Sequence, residues 1–219
     1  MKKKLLTIIS LAAATACILP TISCAQFTTL WTQTNNPSAG GDVASAITTD
    51  ASGIYVAGFD ESLGIGNYQW HIEKRDLTTG ALIAAFGTAG VVTSNPSANG
   101  DYPYAITADA SGIYVVGMDH SPGNRQWRIE KRDLTTGALI AAFGTAGVVT
   151  SNPSASWEQS RAITADVTGI YVAGDDQSFA APNTQWRIEK RDLTTGALIA
   201  SFGTAGVVTN NPSARSDIA

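Results

Sequence analysis

Along residues 104–119 apolar and polar positions alternate in two short runs, YAITAD (104–109) and GIYVVGMD (112–119), separated by Ala110-Ser111-Gly112. The β-branched content and the period of two predict a hairpin, with Gly112 where a tight turn needs positive φ. In the second run Ile113 and Val115 share one face, and Tyr114 and Val116 the other. Both faces are apolar, so this strand is expected to be covered on both sides. A third strand is predicted over 127–133, with Trp127 and Ile129 pointing one way and Arg128, Glu130 and Arg132 the other. It reads as a half-buried strand with a solvated, charge-alternating face. After the turn at Leu134-Thr135-Thr136-Gly137, residues 138–143 give a fourth strand. Gly144-Thr145-Ala146-Gly147 then interrupts the chain, and 148–150 is either a short extra strand or a continuation of the fourth. Asn152-Pro153-Ser154 ends the pattern as a turn.

The pattern occurs three times. The block 126–155 returns at 69–98 with only His71 in place of Arg128, and at 185–214 with only Ser201 for Ala142 and Asn210 for Ser151. A shorter block recurs between the copies: AITTDASGIYVAG from Ala46, AITADASGIYVVG from Ala105, AITADVTGIYVAG from Ala162. The period of 57 to 59 residues makes this a repeat architecture. Four antiparallel strands joined by tight turns, repeated without helices, form the pattern of a propeller blade. One such sheet buries too little apolar surface to stand alone. The expected fold is therefore all-β: tandem four-stranded antiparallel propeller-type units at 40–98, 99–155 and 156–214.

Residues 26–39 align with the tail of a unit, Asn36-Pro37-Ser38-Ala39 falling on Asn95-Pro96-Ser97-Ala98. They are expected to form a last strand without its first three partners. Residues 215–219 begin a link to a further unit. Three units fall short of the four to eight of a closed propeller, so an open arc is expected. A truncated reading frame is the first explanation, and a ring completed by oligomerisation the alternative. Either way the outer faces call for further blades, from a missing C-terminal part or from another chain.

The motifs D-x-S-G-I-Y-V-x-G, W-x-I-E-K-R-D and T-G-A-L-I-A-x-F-G-T-x-G resemble the bacterial β-propeller repeats of the delta-60 type, over about residues 40–214. Phe86-Gly87-Thr88-Ala89-Gly90 and its copies at 143–147 and 202–206 match the F-G-T-G-G-like close of those repeats, with Ala in the middle. The resemblance implies a fold and an extracytoplasmic setting. It carries no catalytic residues onto these positions.

At the start, Met1-Lys2-Lys3-Lys4 and the apolar run 5–19 read as a secretory signal peptide, with cleavage after Ala25. Ile22-Ser23-Cys24 partly fits a lipobox, so lipidation at Cys24 is the competing reading. About 15 apolar residues fall short of a bilayer span, and no later run is longer. Both cysteines, Cys17 and Cys24, leave with this segment, which excludes disulfides and thiolate metal sites from the mature chain. Three of the 14 basic residues leave as well; 11 then face 18 acidic ones, a net charge of −7. Such a surface disfavours nucleic acid as a partner. The expected locale is secreted or cell-surface.

Candidate chemistry is sparse. The E-K-R-D runs at 73–76, 130–133 and 189–192 read as exposed strand faces whose ion pairs are worth ~0–1 kcal/mol. His71 and His120 occupy unrelated places in their units, so no metal or cofactor is expected. Asp60-Glu61-Ser62, Asp119-His120-Ser121 and Asp176-Gln177-Ser178 lack the further acids and the Gly of a calcium loop, and read as Asx turns. Trp70, Trp127 and Trp186 are read as packing residues between units rather than as sugar platforms. What differs between copies is the better guide to binding: the loops 59–68, 118–125 and 175–184 and the links 99–104 and 156–161. They carry Tyr68, Tyr102, Tyr104, Trp157, Arg161 and Phe179, the candidate ligand-binding residues. The expected function is an exported non-enzymatic module binding a protein or a glycan. The alternatives are a propeller-based polysaccharide hydrolase or lyase, for which Glu158 and Asp101 are the faint candidate acids, and a structural spacer.

Overall fold

A computed structural model describes residues 32–179, 183–213 and 215–218. The expected signal peptide 1–25, with Cys24 and its cleavage site, and residues 26–31 of the N-terminal segment lie outside the described residues. Among those described, the chain is all-β, without helices, in three antiparallel four-stranded sheets. Sheet I is β1 (Val43–Asp50), β2 (Gly53–Asp60), β3 (Gln69–Arg75) and β4 (Val91–Ser94). Sheet II is β5 (Tyr102–Asp109), β6 (Gly112–Asp119), β7 (Gln126–Arg132) and β8 (Val148–Ser151). Sheet III is β9 (Gln159–Asp166), β10 (Gly169–Asp176), β11 (Gln185–Arg191) and β12 (Val207–Asn210). Strands pair in chain order within each sheet, and β1, β5 and β9 lie side by side.

The first hairpin of each sheet turns on an Asp. Asp109 accepts from the Ser111 amide at 2.7 Å, and Gly112 comes next because a Cβ there would stand 2.7 Å from the Arg132 carbonyl oxygen. Close approach to the third strand is the demand shared by Gly53, Gly112 and Gly169. Positive φ, the reason expected from the sequence, is not common to all three. Near its start each first strand carries a bulge: Ser45, Tyr104 and Arg161 are the extra residues, close to Gly58, Gly117 and Gly174 of the second strands. The break in pairing is also what admits Pro103 to β5.

The fourth strand is a correction. Residues 138–143 do not extend beside the third strand; only Leu139 bridges Arg132. The Ile140 amide donates to the Lys131 carbonyl at 2.9 Å, and the chain then turns so that Phe143 is fully buried. Gly144 (φ 58°), Ala146 (φ 53°) and Gly147 (φ 91°) reverse it, and 148–151 pairs with β7 instead. A short continuous apolar run looks like a strand, but here its task is to carry one aromatic ring into the core. The described part of the N-terminal segment, 32–39, forms no strand either. It lies over the outer face of sheet I, where Asn35 donates to Glu73 as Ser94 does to Glu130 in sheet II and Ser151 to Glu189 in sheet III.

The core lies between sheets, not within one. Tyr55, Trp70, Ile72 and Phe86 of sheet I pack on Ile106, Ile113 and Val115 of sheet II. Tyr114, Trp127, Ile129 and Phe143 of sheet II pack on Ile170 and Val172 of sheet III. β6, with a sheet on either side, is buried at every position, as its two apolar faces lead one to expect. Trp70 and Trp127 are fully buried, each with its ring tip over a glycine of the next sheet: a Cβ at Gly117 or Gly174 would meet Trp70 Cζ2 at 2.9 Å or Trp127 Cζ2 at 2.8 Å. Trp186, expected to be buried like the others, is 40% exposed because no described sheet lies beyond it.

The expected solvated face of the third strand is overturned. Glu130, Lys131 and Arg132 are all buried. Glu130 binds Arg128 (2.8 Å) and Arg132 (2.7 Å) within its own sheet and accepts from Ser94 (2.7 Å) of the preceding one. Burial alone raises the Glu130 pKa, but Arg132 and Arg128 outweigh it and hold it below the usual carboxylate range. Lys131 reaches the other way: its Nζ donates to the Leu193 carbonyl at 2.7 Å, beside the Tyr114 hydroxyl. Lys74 and Tyr55 clasp the Leu134 carbonyl in the same manner. The charges are the polar part of the inter-sheet contact, invisible to a period-of-two reading that knows only one sheet.

Candidate ligand-binding corner

The positions that differ between repeats converge where the first and third strands of sheets I and II begin. Phe59 stands edge-on to Tyr68 and to Tyr102, at 5.0 Å between centroids in both cases. Tyr68 and Tyr102 lie 5.3 Å apart, and Tyr104 stacks 6.4 Å from Tyr102 at 9°. The row continues into sheet III with Arg161, whose guanidinium is 6.0 Å from the Tyr104 ring and bonded to Asp175 at 2.5 Å. Tyr104 and Arg161 are the two bulge residues of β5 and β9. A bulge re-aims its side chain relative to the flanking strand, which is how neighbours in the repeat frame come to face one another.

Beside this row, Arg125 lies 4.3 Å over the Trp157 ring, while Trp157 itself is 61% exposed. Arg125 Nε donates to His120 Nε2 at 3.3 Å, and His120 Nδ1 is 2.7 Å from the Gly100 carbonyl oxygen. Arg125 thus has a ring and a histidine as neighbours and no ion pair among the described residues. Its charge is felt along the row. Burial raises the Tyr102 and Tyr104 phenol pKa values, and Arg125 pulls both back, joined at Tyr104 by Arg161. The result is a strip of rings with two guanidinium groups, of which Arg161 is paired with Asp175 and Arg125 has no ion pair among the described residues. Such a surface is suited to stacking a planar or pyranose ring and to holding an anion at Arg125.

Of the residues singled out in the sequence, Tyr68, Tyr102, Tyr104, Trp157 and Arg161 meet here. Phe179 does not: it is 46% exposed and shares no ring contact with them among the described residues. Phe59, Arg125 and His120 join the corner without having been expected there. All three differ between copies, which is a legible signal: His120 stands where sheets I and III have Glu61 and Gln177. Phe59 stands where sheets II and III have Met118 and Asp175, and Arg125 stands where sheets I and III have Tyr68 and Thr184.

The two candidate acids belong to something else. Asp101 accepts from the Ser97 amide and hydroxyl, and Glu158 from the Ser154 hydroxyl. Asp42 with Ser38 and Asp217 with Ser213 make the same closure. These acids pin the link turn in every copy. Burial pushes the Glu158 carboxyl up to about 7, with Asp176 adding to the rise. The acidic triplets form Asx turns: Asp60, Asp119 and Asp176 accept from the amides of Ser62, Ser121 and Ser178 at 3.0, 3.0 and 2.7 Å. His71 sits between Asp60 (2.8 Å) and Glu73 (3.1 Å), in the place of Arg128 and Arg187. Among the described residues no three His, Cys, Asp or Glu side chains gather as a metal site. Comparison of the chain with family models, curated proteins and solved structures yields no match.

Proposed function

We propose that the chain is an exported, non-enzymatic repeat protein of the delta-60 propeller kind that its motifs resemble. In this reading each sheet is a blade, and the protein binds an acidic glycan at the cell surface or outside the cell. The observation that supports it is the convergence of substituted positions on one corner. Thirty-residue blocks repeat with one or two changes, yet Tyr68, Tyr102, Tyr104, Arg125, Trp157 and Arg161 meet there. Repetition serves the inter-sheet core; departure from it serves recognition. The rings favour a saccharide or another flat ligand, and Arg125 favours one with a carboxylate or sulfate. Catalysis by Glu158 or Asp101 finds less support, because each is tied into its own link turn.

The test is a glycan array of neutral, uronic and sulfated oligosaccharides, run beside a polysaccharide turnover assay. Acidic glycans are expected to bind, with affinity falling at least tenfold in Trp157→Ala and in Arg125→Ala while circular dichroism stays unchanged. Bond cleavage that disappears in Glu158→Gln would replace this reading with a hydrolase or lyase. Binding to nothing, with free replacement of the corner residues, would leave a spacer. Export is checked on protein recovered outside the cell. Mass spectrometry is expected to find Gln26 as the first residue, whereas a lipid on Cys24 would mean an anchored protein.

A further inference from the structure

We infer that the free face of sheet III docks on the free face of sheet I of a second copy, reproducing the contact that joins the sheets within the chain. That contact occurs twice and is nearly identical both times. One side supplies an aromatic set, Tyr55 with Phe86 (6.1 Å, 64°) or Tyr114 with Phe143 (5.9 Å, 66°), together with Trp70 or Trp127. The other side supplies an aliphatic set and the glycine beneath the indole. Sheet III carries the aromatic set already assembled: Tyr171 meets Phe202 at 5.9 Å and 79°, and Trp186 and Val208 are 40% and 38% exposed. Sheet I carries the aliphatic set. Val43, Ile47, Ile54, Val56 and Gly58 line an open groove of about 280 Å³, and Ile47 is 66% exposed where its counterpart Ile106 is buried.

The polar contacts match as well. Lys74 and Lys131 each bond a Ser of their own sheet and a Leu carbonyl of the next. Lys190 bonds Thr168 in its own sheet and finds no such carbonyl among the described residues; the equivalent group on sheet I is Leu77. Glu73 receives Asn35 where Glu130 and Glu189 receive Ser94 and Ser151, and the docking copy would bring Asn210 to that position. Segment 32–36 holds sheet I by two side-chain hydrogen bonds, Asn35 to Glu73 and Gln33 to the Thr79 carbonyl. Docking therefore exchanges one asparagine for another. The contact is head-to-tail, and such contacts make a ring when the rotation closes. Two copies of the three described sheets, joined at both ends, would bring six together, within the four to eight of known propellers.

Sedimentation of the chain recovered from an exporting host tests this, with Ile47→Glu and Trp186→Ala as probes on residues exposed in a single copy. The wild type is expected to sediment as a dimer, and each variant as a monomer with unchanged circular dichroism. An equimolar mixture of the two variants is expected to regain a dimer, because one of its two contacts is wholly wild-type. A wild-type chain that stays monomeric at its highest soluble concentration would overturn the inference. So would a dimer indifferent to both substitutions, or variants that fail to complement. Open polymers in place of a dimer would overturn the closed ring.

Discussion

Trp70, Trp127 and Trp186 place one side chain in one local sequence and differ in the sheet packed beyond it, so truncating each to alanine measures the inter-sheet contact. A tryptophan buries ~200 Å² when fully covered, worth ~5 kcal/mol at ~25 cal/mol/Å². Trp127 is fully buried, and its Nε1 donates to the Asp175 carbonyl at 3.0 Å, a bond worth ~1 kcal/mol more. Trp70 is equally buried, but its Nε1 has no partner among the described residues. Trp186, 40% exposed, keeps about three-fifths of the burial, or ~3 kcal/mol. Urea unfolding at low protein concentration is expected to rank the losses Trp127→Ala, Trp70→Ala, Trp186→Ala, with ~2–3 kcal/mol between first and last. The comparison is valid where the m-values agree. Equal losses at 127 and 186 in the monomer would refute the claim that the neighbouring sheet, not the residue's own, supplies the burial.

Three further outcomes rest on side chains already placed. Burial opposes a charge on His71, but Glu73 and Asp60 outweigh it and raise its pKa above the ordinary 6.5. The stability this gives is fully present below pH 6.5 and is lost as pH rises through the raised value. His71→Arg should therefore match the wild type in acid and exceed it by ~1–2 kcal/mol above that value, read as Tm against pH. Glu158 is raised from 4.5 to about 7 by burial, so its cost is absent below pH 4.5 and grows until pH 7. Glu158→Gln is expected to gain up to ~3 kcal/mol over the wild type above pH 7 and nothing below pH 4.5; a gain independent of pH would count against the buried charge. Ala89, Ala146 and Ala205 hold φ of 54°, 53° and 53°, left-handed backbone that costs a non-glycine residue ~1 kcal/mol. Ala146→Gly should raise stability by ~0.5–1 kcal/mol in calorimetry, and a loss there would show that the methyl packs usefully.

Periodicity located the hairpins within two residues and the tryptophans on the core side, because those features are fixed by each sheet's own pattern. It misread what is fixed by a neighbour. Glu130 looks solvated in a strand of alternating charge, yet Ser94 from another sheet completes its shell. Residues 138–143 are a short apolar run like a buried strand, yet the chain leaves the sheet there so that Phe143 can reach the sheet-to-sheet core. Trp186 has the same flanking residues as Trp127 and a different environment. The corner was partly legible for a different reason: comparing copies subtracts the core and leaves the exceptions. Comparison marks the Arg125 position, a tyrosine in one copy and a threonine in another, but nothing along the chain marks it as a neighbour of Trp157.

The hydroxyl that each sheet lends to the next gives the chain a direction of assembly. Glu130 with Arg128 and Arg132 is a buried ionic cluster whose last acceptor site is filled from behind by Ser94, as Glu189 is by Ser151. A sheet formed before its predecessor would close over a carboxylate short of one donor, whereas a sheet formed after it finds the donor waiting. Asn35 performs that service for sheet I, so residues ahead of the first strand prime the first cluster. A chain emerging amino end first would then complete its charge clusters in the order of synthesis, each sheet templating the next like successive stitches in a row. Near-identical repeats invite pairing out of turn, and this dependence on what came before is a brake on it.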